Sequence, residues 1–154
     1  MEKLVCTAAQ FTADYEKIIA EGGAIPLVVS GNSMNPFLVD GKDTVWLCAP
    51  DEKNIIKGSI LLFRRESGVL VLHRVRKVLP DGVLIMNGDA QKWCEAVDFS
   101  QIVAAVSHTE KNGKKVSCNS PSYLFLCAVW RILMPVRPYL LTLWRKIKKI
   151  TDKS

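Results

Sequence analysis

Between residues 25 and 118 the chain is a succession of short apolar runs, each stopped by a glycine, proline or asparagine turn. Ile25 to Val29 halts at Ser30-Gly31-Asn32, and Thr44 to Cys48 halts at Pro50-Asp51. Ser59 to Arg64 and Val69 to Val78 flank Ser67-Gly68, and Pro80-Asp81-Gly82 leads into Val83 to Met86. Asn87-Gly88-Asp89 breaks that run. Ile102 to His108 and Lys115 to Cys118 then flank Lys111-Asn112-Gly113-Lys114. Segments of this length, separated by turn chemistry at close intervals, predict a mainly β protein: a small, coiled, barrel-like antiparallel sheet. There is no internal repeat and no low-complexity segment.

The flanks differ from this body. Residues 5–21 carry Ala8, Phe11, Tyr15, Ile18 and Ile19 at helical spacing before Gly22-Gly23, which predicts an N-terminal amphipathic helix within 1–24. The first 17 residues are polar, without the apolar core of a signal peptide. The body is assigned to residues 25–119, and at Ser120-Pro121 the composition changes. From Tyr123 to Trp144 the chain is mostly apolar but interrupted by Arg131, Arg137, Pro135 and Pro138. A spanning helix needs about 20 apolar residues, and each central arginine would cost about 2.5–3.5 kcal/mol on insertion. Residues 120–154 therefore read as two short amphipathic helices in a membrane interface. Trp130 and Trp144 are expected at headgroup level, with Arg145, Lys146, Lys148 and Lys149 on anionic lipid. A helical pair packed on the body or on a partner chain is the alternative.

Charge supports the split. Residues 1–120 hold fourteen Lys/Arg and fourteen Asp/Glu, so the whole net charge of +6 lies in the tail. A neutral body argues against a nucleic-acid-binding domain, and a basic apolar tail suggests an anionic membrane surface reached through residues 121–150. The expectation is a cytoplasmic body held to a membrane by its C-terminal segment. Cys6, Cys48, Cys94, Cys118 and Cys127 have no metal-ligand spacing, so reduced thiols, no metal and no cofactor are expected.

The candidate chemistry lies in two stretches. Ser33 follows an apolar strand and a glycine turn, which can expose a hydroxyl while aiming backbone N–H groups at the same point, as a serine nucleophile requires. His73 sits mid-strand in Val69-Leu70-Val71-Leu72-His73-Arg74-Val75. A neutral histidine there can accept the hydroxyl proton, given a carboxylate to orient it. Asp89, Glu95 and Asp98 follow the next strand and are the candidates. An ordinary Ser/Gly/Asn turn and a structural histidine are the simpler readings of each stretch taken alone.

Together, Ser30-Gly31-Asn32-Ser33-Met34-Asn35-Pro36, Leu72-His73-Arg74-Val75 and Asn87-Gly88-Asp89 resemble the S24/S26 serine peptidases, which include type I signal peptidases and self-cleaving repressors of the LexA type. The resemblance runs from about Val28 to Val106. It implies the coiled β fold, Ser33 as nucleophile and His73 as general base. The place His73 holds is a lysine in most bacterial members; histidine there is similar to the endoplasmic-reticulum branch of signal peptidases. In that branch the acid lies a few residues beyond the Gly-Asp pair, on or near Glu95, and Asp89 is the other candidate. Ser30, Gly31 and Asn32 are the expected oxyanion turn, with Met34 and Pro36 as substrate-pocket candidates. The chain departs from the family in its extra Asn32 relative to Ser-Gly-Ser-Met, in Ser59 after Gly58, and in having no apolar helix ahead of Ser33.

The resemblance implies a serine endopeptidase that cuts a signal or leader peptide. One alternative is a self-cleaving LexA-like regulator, although only about 27 residues precede the serine motif and no Ala-Gly or Cys-Gly pair stands upstream. The other is a catalytically idle binding module of the same fold.

Overall fold

The computed structural model describes residues 10, 11 and 13–152. The N-terminal helix α1 spans Ala13–Ala20; the part of the expected helix holding Ala8 lies outside the described residues. Eight strands follow: β1 Ile25–Val28, β2 Thr44–Cys48, β3 Ile60–Arg64, β4 Leu70–Val78, β5 Leu84–Asn87, β6 Glu95–Val97, β7 Ile102–Lys111 and β8 Lys114–Ser117. Helices α2 (Pro121–Ile132) and α3 (Arg137–Thr151) close the chain.

All pairings are antiparallel, in the order β1-β2-β7-β3-β4-β5-β6, with β8 added beside β7. The mainly β fold with a helix at one end and a helical tail at the other is the architecture expected from the turn pattern. The sheet is open, with β1 and β6 as edges. Its ladders shift register at Trp46/Leu47, Leu62/Phe63 and Val75/Lys77, and such bulges add local twist.

The centre is β3, hydrogen-bonded on both sides and buried on both faces. Successive side chains on a strand point to opposite faces. Ile60 and Leu62 therefore enter a core with Leu27, Val45, Leu47 and Val106. Leu61 and Phe63 enter a second core with Val75, Leu84, Met86 and Val97. This is why the segment reads as an unbroken apolar run and not as an alternation. The flanks belong to the first core: Ile19 of α1 and Tyr123 and Cys127 of α2 are buried in it.

Strand β6 has no counterpart in the turn pattern. Three residues, Glu-Ala-Val, carry too little apolar signal, and the strand exists because it pairs with β5. Two short 3-10 turns, Glu52–Asn54 and Phe99–Gln101, lead into later strands, and Asp98 caps the second by accepting from the Ser100 N–H. Among the described residues, Cys48, Cys94, Cys118 and Cys127 are unpaired.

Leu62 is wholly enclosed between Ala104 and Leu72 on neighbouring strands. Leu62→Ala is expected to lower unfolding stability by about 2–5 kcal/mol, read as a reduced urea midpoint at unchanged slope.

Candidate active site

The apolar strand β1 ends at Val28, and the chain turns sharply. Gly31 takes φ +85°, a conformation that costs a residue with a Cβ, and its N–H donates to Asp40 Oδ1 at 3.0 Å. Asn32 closes the next turn: its carbonyl accepts from the Asn35 N–H (3.3 Å) and its side chain from Asn35 Nδ2 (3.1 Å). Ser33 is left half-buried at the crest, while Met34 is fully buried below it. Among the described residues the Ser33 N–H donates to no acceptor.

Ser33 and His73 line one cavity of about 250 Å³, with Ser30, Met34, Leu70, Leu72, Gln91 and Trp93 around them. A larger cavity of about 840 Å³ lies between α1 and the ends of β3 and β7, away from both residues. His73 stands on β4 opposite Leu61 and is 1% exposed. Its ring lies edge-on between Phe63 and Trp93, each 5.9 Å away. Burial drives its basicity below the ordinary 6.5; Glu95 opposes that shift and Arg65 adds to it. The imidazole is therefore neutral at pH 7, as a general base must be. Stability follows the same sign: an unfolded chain binds this proton more readily, so the contribution is full above about pH 6.5 and fades as pH falls through that value.

Glu95, at the start of β6, places Oε1 3.2 Å from His73 Nδ1. The approach is short, but its angle falls outside hydrogen-bond geometry and leaves Nδ1 without an aligned partner. The carboxylate is aimed first at Arg65, whose Nε and Nη2 reach its two oxygens at 2.9 and 2.7 Å. Catalytic hydrogen bonds in a free enzyme are often looser than in a complex. Arg65 also lies over Trp93, 5.8 Å from the ring centre, so three groups hold one another around the imidazole.

Asp89 is engaged elsewhere. It is 2% exposed, and both its oxygens accept from Arg74, at 2.8 and 2.7 Å. Arg74 follows His73 on β4 and so points to the opposite face. Its guanidinium also donates to the Gly58 carbonyl and to the Tyr123 hydroxyl. Burial alone would lower its basicity; the Asp89 carboxylate outweighs that and raises it. Of the carboxylates considered, Glu95 stands beside the histidine, Asp89 is half of a buried ion pair, and Asp98 caps a turn.

The remaining candidates divide similarly. Ser30 lines the cavity, whereas the Gly31 N–H is taken by Asp40 and Asn32 lies outside the cavity wall. Met34 belongs mainly to the core, and Pro36, joined to Asn35 by a cis peptide bond, is not part of the wall. Arg65, Gln91 and Trp93 were not singled out by the sequence. Nothing local marks them, because they reach the cavity only through strand pairing and the loop after β5.

Gly88 has a role that its turn composition does not reveal. A Cβ there would sit 2.7 Å from the Ser33 carbonyl and 2.5 Å from Gln91 Oε1. The same carbonyl accepts from the Ala90 N–H at 2.8 Å. The loop thus clasps the serine turn, and Gly88→Ala is expected to displace it. Any activity that depends on Ser33 should fall by about 10²-fold, since an ångström of misplacement has that effect. Circular dichroism should show the fold retained.

The two carboxylates are expected to behave oppositely. Asp89→Asn breaks a buried pair and should cost about 3–5 kcal/mol of stability. Glu95→Gln should alter stability by less than about 1 kcal/mol, because its oxygens are partly solvated. Equal losses in parallel urea titrations would contradict this division. No protein-family model matches the sequence, and no curated protein matches it either.

Proposed function

We propose that the protein is a serine endopeptidase of the S24/S26 kind, acting on an exported or leader-bearing polypeptide. The observation that supports this most is that Ser33 and His73, forty residues apart in sequence, line one cavity with a carboxylate 3.2 Å behind the imidazole. A serine, a neutral buried histidine and an acid are the parts that acyl transfer needs.

In this reading an extended substrate lies along the open edge of Leu70 to Leu72, which β3 pairs on one side while β5 joins β4 only from Arg74 onward. His73 removes the Ser33 hydroxyl proton as Oγ attacks the scissile carbonyl. The Ser33 N–H, with the Ser30 hydroxyl, receives the developing oxyanion. His73 then protonates the leaving amine, and water, activated by the same imidazole, hydrolyses the acyl-enzyme. Glu95 holds the Nδ1–H tautomer and stabilises the imidazolium. Arg65 keeps Glu95 in position.

The test is cleavage of a signal-peptide substrate presented in lipid or detergent by wild type, Ser33→Ala and His73→Ala. Loss of about 10³-fold or more in both variants is expected. A serine-directed acylating probe should label wild type and not Ser33→Ala. A protein that neither cuts nor accepts the probe is not a serine peptidase.

The pH profile reports the electrostatics separately. The acid limb should lie below pH 6.5 in wild type. Arg65→Ala removes a charge that lowers the His73 value, so the limb should move towards higher pH. Glu95→Gln removes one that raises it and should move the limb the other way. It should also lower kcat by about 10²–10⁴-fold, because an amide favours the wrong tautomer.

A further inference from the structure

We propose that the outer face of α2 and α3 is a docking surface for an anionic lipid bilayer, on which the two helices lie without crossing it. No single helix among the described residues is long and apolar enough to cross a membrane. Pro121–Ile132 and Met134–Thr151 pass that test only together, and they are bent by 65°. Each helix has an inner face already satisfied by the body. In α2, Tyr123 and Cys127 are buried and the Trp130 indole N–H donates to the Asp89 carbonyl at 2.7 Å. In α3, Arg137 is 1% exposed, donating to Asn87 Oδ1 and the Gln91 carbonyl, and Leu141 is buried beside it.

The tail nevertheless has a second apolar face. On α2, Phe125 (67% exposed), Leu126, Val129 and Ile132 (79%) stand outward, with no charged residue among them. On α3, Tyr139 (77%), Leu143, Ile147 and Ile150 (69%) recur at helical spacing along one side, turned away from the Arg137–Leu141 side. Body packing does not explain Phe125, Ile132, Tyr139 and Ile150, which are 67–79% exposed, although Ile147 also borders a groove against Val39, Asp43 and Lys111. Exposed apolar rows of this kind mark a site of association.

Charge selects the occupant. Lys146 adjoins the apolar row of α3, and Arg145 and Lys149 are exposed on its flank, where they border a groove with Asn32 and Asn35. No acidic residue lies between Pro121 and Thr151, while residues 1–120 sum to zero. Apolar side chains flanked by cations match an interface of acyl chains and anionic headgroups. The sequence expectation needs one correction. Trp130 is not at headgroup level; its ring lies against Phe37 and its N–H is committed to the body. Trp144 is half-buried with Lys148 over its ring. The lipid-facing side chains are the aliphatic and phenyl groups above.

Because Trp130 and Arg137 fasten the helices to the loop after β5, binding would hold the whole body in one orientation to the bilayer. The proposal does not depend on catalysis. The experiment is co-sedimentation of the full chain with vesicles of phosphatidylglycerol and phosphatidylcholine, against vesicles of phosphatidylcholine alone. Wild type and Ser33→Ala should bind the mixed vesicles equally, at least about tenfold better than the neutral ones, and less well at high salt. Replacing Arg145, Lys146 and Lys149 together by glutamine should weaken binding about 100-fold. Phe125→Ser with Ile132→Ser, both exposed and so compatible with the fold, should weaken it at least about tenfold. No binding, equal binding to both vesicles, or full binding by the Phe125/Ile132 variant overturns the proposal. A lipid-free dimer in sedimentation equilibrium that this variant dissolves also overturns it, in favour of a second copy of the chain.

Discussion

The ion pair between Arg74 and Asp89 is a buried node at which five segments of the chain meet. Both side chains are about 3% exposed, so each charge has lost nearly all its water. Such a pair persists only when geometry and further hydrogen bonds offset the desolvation. Here the fork of Arg74 meets both Asp89 oxygens, and its third nitrogen reaches the Gly58 carbonyl at 3.0 Å. The rings of Phe37 and Tyr123 cover the guanidinium. One cation thus joins β4, the turn before β3, the loop after β5, the turn after Ser33 and the start of the tail.

Strand alternation turns that structural node into a chemical one. Arg74 faces the ion pair, so His73, one residue earlier, must face the cavity. Adjacent residues on one strand therefore serve opposite ends. The arginine is charged, and each of its three nitrogens donates at least one hydrogen bond. The histidine is buried against two aromatic rings and kept neutral. Its neighbour Glu95 is shared with Arg65, which takes both carboxylate oxygens and lowers the basicity of His73. The balance leaves a neutral imidazole, held below its ordinary basicity by burial, with a carboxylate 3.2 Å away.

The strands were legible because glycine and proline turns bound them and because β3 is apolar on both faces. The candidate serine and histidine were legible for a similar reason: each sits where a local pattern breaks or centres. Which carboxylate stands beside His73 was not. Asp89 lies in the loop after β5 and Glu95 six positions on at the start of β6, and only the pairing of Met86 with Glu95 and the capture of Asp89 by Arg74 separate them. Arg65 and Trp93 have no local mark, since a cation after a strand and an aromatic residue in a loop are common surface features. The tail was read correctly as helical and amphipathic, but its two apolar faces could not be told apart. One is filled by the body, and that is decided by contacts more than 40 residues away.

The stretch Asn87-Gly88-Asp89 shows why a turn-like motif can carry more than a turn. Asn87 ends β5 and donates from Nδ2 to the carbonyls of Gln91 (3.1 Å) and Trp93 (2.6 Å), folding the loop back on itself. That fold brings Trp93 over His73 and starts β6 at Glu95. Its Oδ1 accepts from Arg137, so the same amide also receives the tail. Gly88 lets the loop approach the Ser33 carbonyl where any side chain would collide. Asp89 uses its carboxylate for Arg74 and its carbonyl for Trp130. Three consecutive residues thereby position the imidazole's neighbours, the serine turn and the helical tail. Each does so with a different group: an amide, the absence of a Cβ, and a carboxylate. Substituting one for another would preserve a turn and lose the site, which is why residue type at these positions matters beyond turn propensity.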